Sequence, residues 1–235
     1  MSEHNTNILK EAALSLGVKL NDTQISQFLH YKNLLLEWNE KLNLTAITNE
    51  SEIMVKHFAD SLSLAPFLEG GTLIDVGTGA GFPGIPLKVV LPSLTITLLD
   101  SLNKRLVFVN SVISELGLCG IKTIHSRAED GARNDMREKY DYATARAVSR
   151  LAVLAEYCLP YVKIGGMFIA YKGAEIKEEI IESATAIRTL GGEISEIKEI
   201  NFHNISHSLV MIRKHRQTPS KYPRTPAKIS QIPIK

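Results

Sequence analysis

The sequence is short of cysteine. Cys119 and Cys158 are the only two in 235 residues, they lie far apart, and neither has metal-ligand spacing. A disulfide scaffold and a metal site are therefore not expected, and the reducing cytoplasm is the default compartment. No apolar run approaches the roughly 20 residues that cross a bilayer, so no membrane partner is expected. The opening MSEHNTNILKEAALSLG has no basic stretch followed by an apolar one, so it does not read as a secretion signal. Acidic residues are missing from residues 200–235, which hold seven Lys or Arg. The overall net charge of +2 hides this, because residues 1–199 carry 20 basic and 25 acidic side chains, a net of −5. A tail of one sign is either a solvated end or an arm for phosphate.

What remains is a chain that is 44% hydrophobic, enough for one sizeable core with appended elements. Residues 1–68 read as a helical region. Asn21 and Asp22 can cap a helix with Ile25, Phe28, Leu29, Leu35, Leu36 and Trp38 on its apolar side, and Thr48 and Asn49 can cap another through Ile53, Met54, His57, Phe58 and Leu62. From Thr72 the pattern becomes α/β. TLIDV, TITLLD, IKTIHS, YDYATARA and GMFIAYK are short β-branched runs separated by helical spacing, which predicts a mostly parallel sheet covered on both faces. EISEIKEIN and HSLVMIRK then predict an antiparallel hairpin at the sheet edge. The expected division is a helical region 1–68, an α/β domain 69–214, and a tail 215–235 whose prolines predict an extended, non-helical chain.

Four of the 15 glycines fall within residues 77–84, in IDVGTGAGFPG. The run sits between the first strand and the first helix of the α/β region, where open sheets bind nucleotides. Gly79, Gly81 and Gly84 satisfy the GxGxxG spacing of dinucleotide sites. Gly77 one step earlier, Asp75 in the strand, and Phe82-Pro83 at the helix start favour a cationic ligand over a pyrophosphate. The stretch resembles the Asp-x-Gly-x-Gly-x-Gly loop of class I S-adenosylmethionine-dependent methyltransferases, and the resemblance makes Asp75, Gly77, Gly79, Gly81 and Phe82 candidate cofactor contacts. Asp100 at the end of the second strand suits ribose hydroxyls in either reading. Glu129, after the third strand, is a candidate for the adenine amino group or a helix-start acid stabilised by the dipole.

The motifs LLLEWNEKLNLTAI, HFADSL, LIDVGTGAGFPGIPLK, LLDSLNKR, ATARAVSRL, AYKG and TPSKYPR occur in that order. Together they resemble the bacterial 16S ribosomal RNA guanine-N7 methyltransferase G family, also called the glucose-inhibited division protein B family. The resemblance implies a class I methyltransferase fold, Rossmann-like, with a seven-stranded sheet, and S-adenosylmethionine held by Gly77, Phe82, Ala128, Glu129 and Arg146. It implies methyl transfer to N7 of the 16S guanine numbered 527, with the small subunit or its RNA as partner. A role for His57 and Asp60 beside the cofactor or guanine is also implied. A monomer in the cytoplasm is expected.

Transfer to N7 needs positioning and no general base, because that nitrogen carries a lone pair and no proton. Arg146 can bind the methionine carboxylate, a target phosphate or a body carboxylate. Lys172 is a candidate for RNA phosphate or guanine O6. His57 and Asp60 lie three apart, on one helical face, and read equally as a local capping pair. Arg213, Lys214, Arg216, Lys221, Arg224 and Lys228 are the candidate RNA contacts. A small-molecule methyltransferase, a nicotinamide dehydrogenase and a non-catalytic RNA-binding module remain alternatives at this level.

Overall fold

The computed structural model describes residues 2–146 and 149–234. Ala147 and Val148, inside the ATARAVSRL stretch, and Lys235 of the tail lie outside the described residues.

The N-terminal helices are α1 (Ser2–Ser15) and α2 (Asp22–Leu42). Asn21 starts α2 with a reciprocal cap: Gln24 N–H donates to its side chain at 2.9 Å, and Asn21 N–H donates to Gln24 Oε1 at 3.0 Å. Two otherwise orphaned amides are satisfied at once. Asn43, at φ 48, ends α2 in the left-handed region. A composite helix follows: α3 (Glu50–Glu52), capped by Asn49 as expected, a π-helical segment (Ile53–Ala59), and α4 (Asp60–Leu62). Such wide turns are uncommon and often mark functional positions. This one carries His57.

The α/β part runs β1 (Thr72–Val76), α5 (Gly84–Val90), β2 (Thr95–Asp100), α6 (Asn103–Glu115), β3 (Ile121–His125), α7 (Ala128–Gly131), β4 (Tyr140–Arg146), α8 (Leu151–Cys158), β5 (Val162–Gly173), α9 (Lys177–Thr189), β6 (Gly192–Phe202) and β7 (Ile205–Lys214). They form one seven-stranded sheet in the order β3-β2-β1-β4-β5-β7-β6. Only β7 runs against its neighbours. The predicted hairpin is present, with its second strand inserted between β5 and β6. Strand order reverses between β1 and β4, and that reversal opens a crevice at the strands' carboxyl ends.

Each sheet face has its own core. One holds Leu9, Phe28, Tyr31, Leu35, Ile53, Met54 and Phe58 from the N-terminal helices, packed with Phe82, Ile85 and Phe108 from the sheet side. The other joins Ile74, Leu154, Phe168 and Val210 to Tyr222 of the tail. The tail is not uniformly extended. A short helix, α10 (Pro226–Gln231), closes it. Pro226 stands at the first helical positions, where a missing N–H costs nothing. Arg137 donates to the carbonyls of Thr218 and Tyr222, and Arg133 to that of Pro223. The tail is thus laid down on the body.

Candidate active site

β1 delivers the chain into the glycine loop, and Asp75 organises that loop from behind. Its carboxylate is fully buried. Oδ2 accepts from Thr78 Oγ1 at 2.6 Å and from Gly84 N–H at 3.0 Å. Oδ1 has no hydrogen-bond partner among the described residues. Burial pushes this carboxyl up to about 7, against the hydrogen bonds from Thr78 and Gly84. Asp75 does not line the cleft, which corrects its assignment as a ligand contact. A strand-end acid facing inward spends its hydrogen bonds on the turn. Because Gly84 N–H is taken by Asp75 and Ile85 N–H by Gly81 O, the start of α5 offers little to a pyrophosphate, and the dinucleotide reading loses its anchor.

Three glycines of the loop have different reasons. Gly77 (φ 77) and Gly79 (φ 60) line the cleft in a backbone conformation that side chains rarely adopt. A Cβ on Gly79 would meet nothing within 4 Å, so it would occupy ligand space. Gly81 turns inward instead. A Cβ there would lie 2.7 Å from Tyr31 Oη and 2.5 Å from Ile85 Cδ1. Gly81 therefore admits α2, and its place among the ligand contacts is corrected. Tyr31 Oη donates to Ala80 O at 2.5 Å, so the N-terminal region fastens the loop directly.

The cleft has a volume of about 650 Å³, within the usual range for small-ligand sites. Its walls include Gly77, Gly79, Phe82, Asp100, Ala128, Glu129, Arg146, His57 and Asp60. Asp100 is almost wholly buried. It accepts from Gly79 N–H at 2.9 Å and Leu102 N–H at 2.8 Å, with Arg105 at 3.6 Å. Glu129 is 4% exposed. Its Oε1 has no hydrogen-bond partner among the described residues, although Arg127 lies 3.9 Å away. A buried carboxylate oxygen left bare is costly, and Glu129 lines the cleft, where a donor such as an adenine amino group suits it. Tyr161 Oη donates to Ala128 O at 2.6 Å and braces this wall. The bare carboxylate, the open Gly79 and the carboxylate of Asp100 fit a cationic adenine nucleoside.

Arg146 ends β4 and lines the same cleft. Its Nη1 donates to Asp60 Oδ2 at 2.7 Å and more weakly to His57 O at 3.4 Å. Its guanidinium carbon stands 5.2 Å from the Phe82 ring centroid. His57 stacks on Phe82, with centroids 4.7 Å apart and planes within 12°, and pairs with Thr45 Oγ1 at 2.8 Å. Burial, and then the positive Arg146, lower His57 to about 4. It is neutral near pH 7. Burial alone would raise Asp60, but His207 and Arg146 hold it below the ordinary carboxylate range. His207 Nε2 is 3.0 Å from Asp60 Oδ1. The reading of His57 and Asp60 as a local capping pair is replaced by a shared grip on Arg146.

Several expected contacts are elsewhere. Lys172 donates to Ser149 O at 3.0 Å and pairs with Glu179 at 2.7 Å. It is outside the cleft, held by the start of α9. Lys214 is fully buried. It donates to Leu159 O and Thr218 Oγ1, both at 2.7 Å, and burial lowers it to about 8 against the pull of Glu138. Arg224 clamps Glu156 through two nitrogens. Neither Lys214 nor Arg224 is free for phosphate, because Leu159 and Thr218 accept from Lys214 and Glu156 accepts from Arg224. Arg213 is half-buried, and its Nη1 donates to Gly165 O. Arg216, Lys221 and Lys228 are exposed. Both cysteines lie outside the cleft, Cys119 exposed and Cys158 buried. Tyr31, Thr45, Tyr157, His207 and Pro226 were not anticipated. Thr45 lies inside a quoted motif, and Tyr31 follows the apolar spacing of α2, but that spacing reads only as core.

Among the described residues no helix is long and apolar enough to cross a membrane. The fold resembles magnesium protoporphyrin IX methyltransferase from Synechocystis, at a TM-score of 0.57, with 13% identity over 78% of this chain and 97% of that one. At that identity the likeness concerns the fold alone. In sequence the chain is 58% identical to ribosomal RNA small subunit methyltransferase G of Alkaliphilus metalliredigens, over 97% of this chain and 98% of that protein. It is 53% identical to the protein of the same name from Acetivibrio thermocellus, over 97% and 96%. Residues 24–209 match the family described as rRNA small subunit methyltransferase G. With the crevice at the sheet's switch point, the glycine loop and near-full-length likeness in agreement, the chain belongs to the rRNA small subunit methyltransferase G family.

Proposed function

We propose that the protein methylates N7 of a guanine in 16S ribosomal RNA, at the position numbered 527, acting as a monomer in the cytoplasm. S-adenosylmethionine supplies a methyl group on a sulfonium sulfur, which leaves as a neutral thioether. The chain's residues bind and orient. Gly77 and Gly79 let the donor approach the main chain, Asp100 receives ribose hydroxyls, and Glu129 with Ala128 holds the adenine edge. Arg146, aimed by Asp60, meets the methionine carboxylate. Phe82 and the neutral His57 form a flat apolar surface beside the transfer site. A neutral His57 adds no positive charge there, so it does not repel a sulfonium.

The observation that carries this reading is that a Glu129 carboxylate oxygen without a hydrogen bond and an Arg146 oriented by Asp60 belong to residues lining one cleft. No side chain in the cleft is needed as a base, because guanine N7 carries no proton. The exposed Arg216, Lys221 and Lys228, with the half-buried Arg213, are the proposed phosphate contacts.

The test uses small subunits from cells lacking this protein. They are incubated with the purified enzyme and methyl-labelled S-adenosylmethionine. One N7-methylguanine, located by borohydride reduction and aniline cleavage, is expected. Label at another atom or in another RNA overturns the reading.

A further inference from the structure

The tail contributes a wall to the cleft. Pro226 lines the same cavity as Tyr157 and Glu129, although it is almost a hundred positions away from Glu129 in sequence. Its position is fixed two residues earlier. Arg224 Nη2 donates to Glu156 Oε2 at 2.7 Å, Arg224 Nε to Glu156 Oε1 at 2.9 Å, and the backbone N–H of Arg224 to the same Oε1 at 2.7 Å. The Glu156 side chain is 1% exposed, so this acid is committed to the tail. Tyr222 is buried, with the Arg224 guanidinium 5.9 Å from its ring centroid. Glu156 is the chain neighbour of Tyr157 on α8, so the latch is anchored to the helix that supplies a residue of the cleft wall.

We propose that residues 222–226 form a latched wall of the cofactor cleft, so that Arg224 is a positioning residue for the donor's nucleoside end. This rests on the reading of the cleft as the S-adenosylmethionine site. It departs from the view of the tail as an RNA arm: Arg224 has spent its charge on a buried acid, and only the flanking cations remain for phosphate. The bidentate geometry explains the choice of Arg, since a Lys offers a single point of attachment.

Calorimetric titration of the full chain with S-adenosylhomocysteine and with 5′-methylthioadenosine tests the proposal. Arg224→Gln is expected to raise both Kd values about tenfold, and Arg224→Lys by less. Pro226→Gly leaves the latch intact and guards against a misfolded Arg224 variant. It is expected to keep the wild-type Tm within about 2 °C and to raise both Kd values three- to fivefold. Nucleoside affinities at wild-type level in the Pro226 variant overturn the proposal, as does a loss confined to RNA binding. Wild-type methylation at a different atom or RNA would overturn the function proposed above and leave this wall standing.

Discussion

The Arg146 guanidinium is held between Asp60, at 2.7 Å, and the face of Phe82, at 5.2 Å. Both members of the ion pair are largely buried, with side chains 14% and 12% exposed. Removing one partner of such a pair strands a charge, at a cost of about 3–5 kcal/mol. Asp60→Ala is expected to lose stability of that order and also donor affinity. Asp60→Asn keeps one acceptor for Arg146 and should lose less of both. Urea unfolding and calorimetric titration check the two effects. Equal stability of the three proteins would contradict this account.

His57 should make the protein acid-sensitive. Its folded value near 4 lies below the ordinary 6.5. Between these values the unfolded chain binds a proton that the native state refuses, so stability rises with pH. The contribution is complete above about pH 6.5 and is lost as pH falls towards 4. Its upper limit is about 3 kcal/mol. Urea midpoints for wild type and His57→Gln between pH 7.5 and 4.5 should diverge, with the variant losing less. Parallel curves would rule this out.

Two glycine variants should fail differently. Gly79→Val places methyl groups in the cleft and a side chain at positive φ. Donor binding should vanish while stability falls by only about 1–2 kcal/mol. Gly81→Ala forces a Cβ against Tyr31 and Ile85 and should mainly destabilise, by about 1–3 kcal/mol. Thermal unfolding alongside donor titration separates them. Similar losses of binding in both would refute the division of labour.

Exposed and buried tail cations should also separate. Lys221→Gln and Lys228→Gln are expected to flatten the slope of log K against log salt by about 0.7–0.9 each for RNA, with Tm unchanged. Lys214→Gln should lower Tm, because Glu138 and two oxygen acceptors lose their ammonium. Filter binding at four salt concentrations and a melting curve provide the check. An unchanged slope in the exposed variants would make the tail a solvated end.

Much of this protein was determined by its sequence alone. β-branched runs alternating with helical spacing dictate a mostly parallel sheet, because each helical crossover returns the chain in the same direction and covers a face of the sheet. The glycine cluster marks the turn where a ligand meets the backbone; Asp100 and Arg146 fall at strand ends, and Glu129 falls in the short helix that follows β3. Which way a side chain points at such a turn was not legible. Asp75 and Gly81 sit in the same motif as Gly79, yet they face Gly84 and Tyr31, a choice made by packing of α2 and α5. The basic tail posed the same problem. Charge count cannot reveal that Lys214 and Arg224 find Thr218 and Glu156, since Arg224 and its acid are 68 positions apart. His207 reaches Asp60 only because β7 inserts beside β5. Local propensity and periodicity are properties of neighbours in the chain, whereas ion pairing and the orientation of buried polar groups depend on distances that exist only once the sheet and its covering helices have assembled.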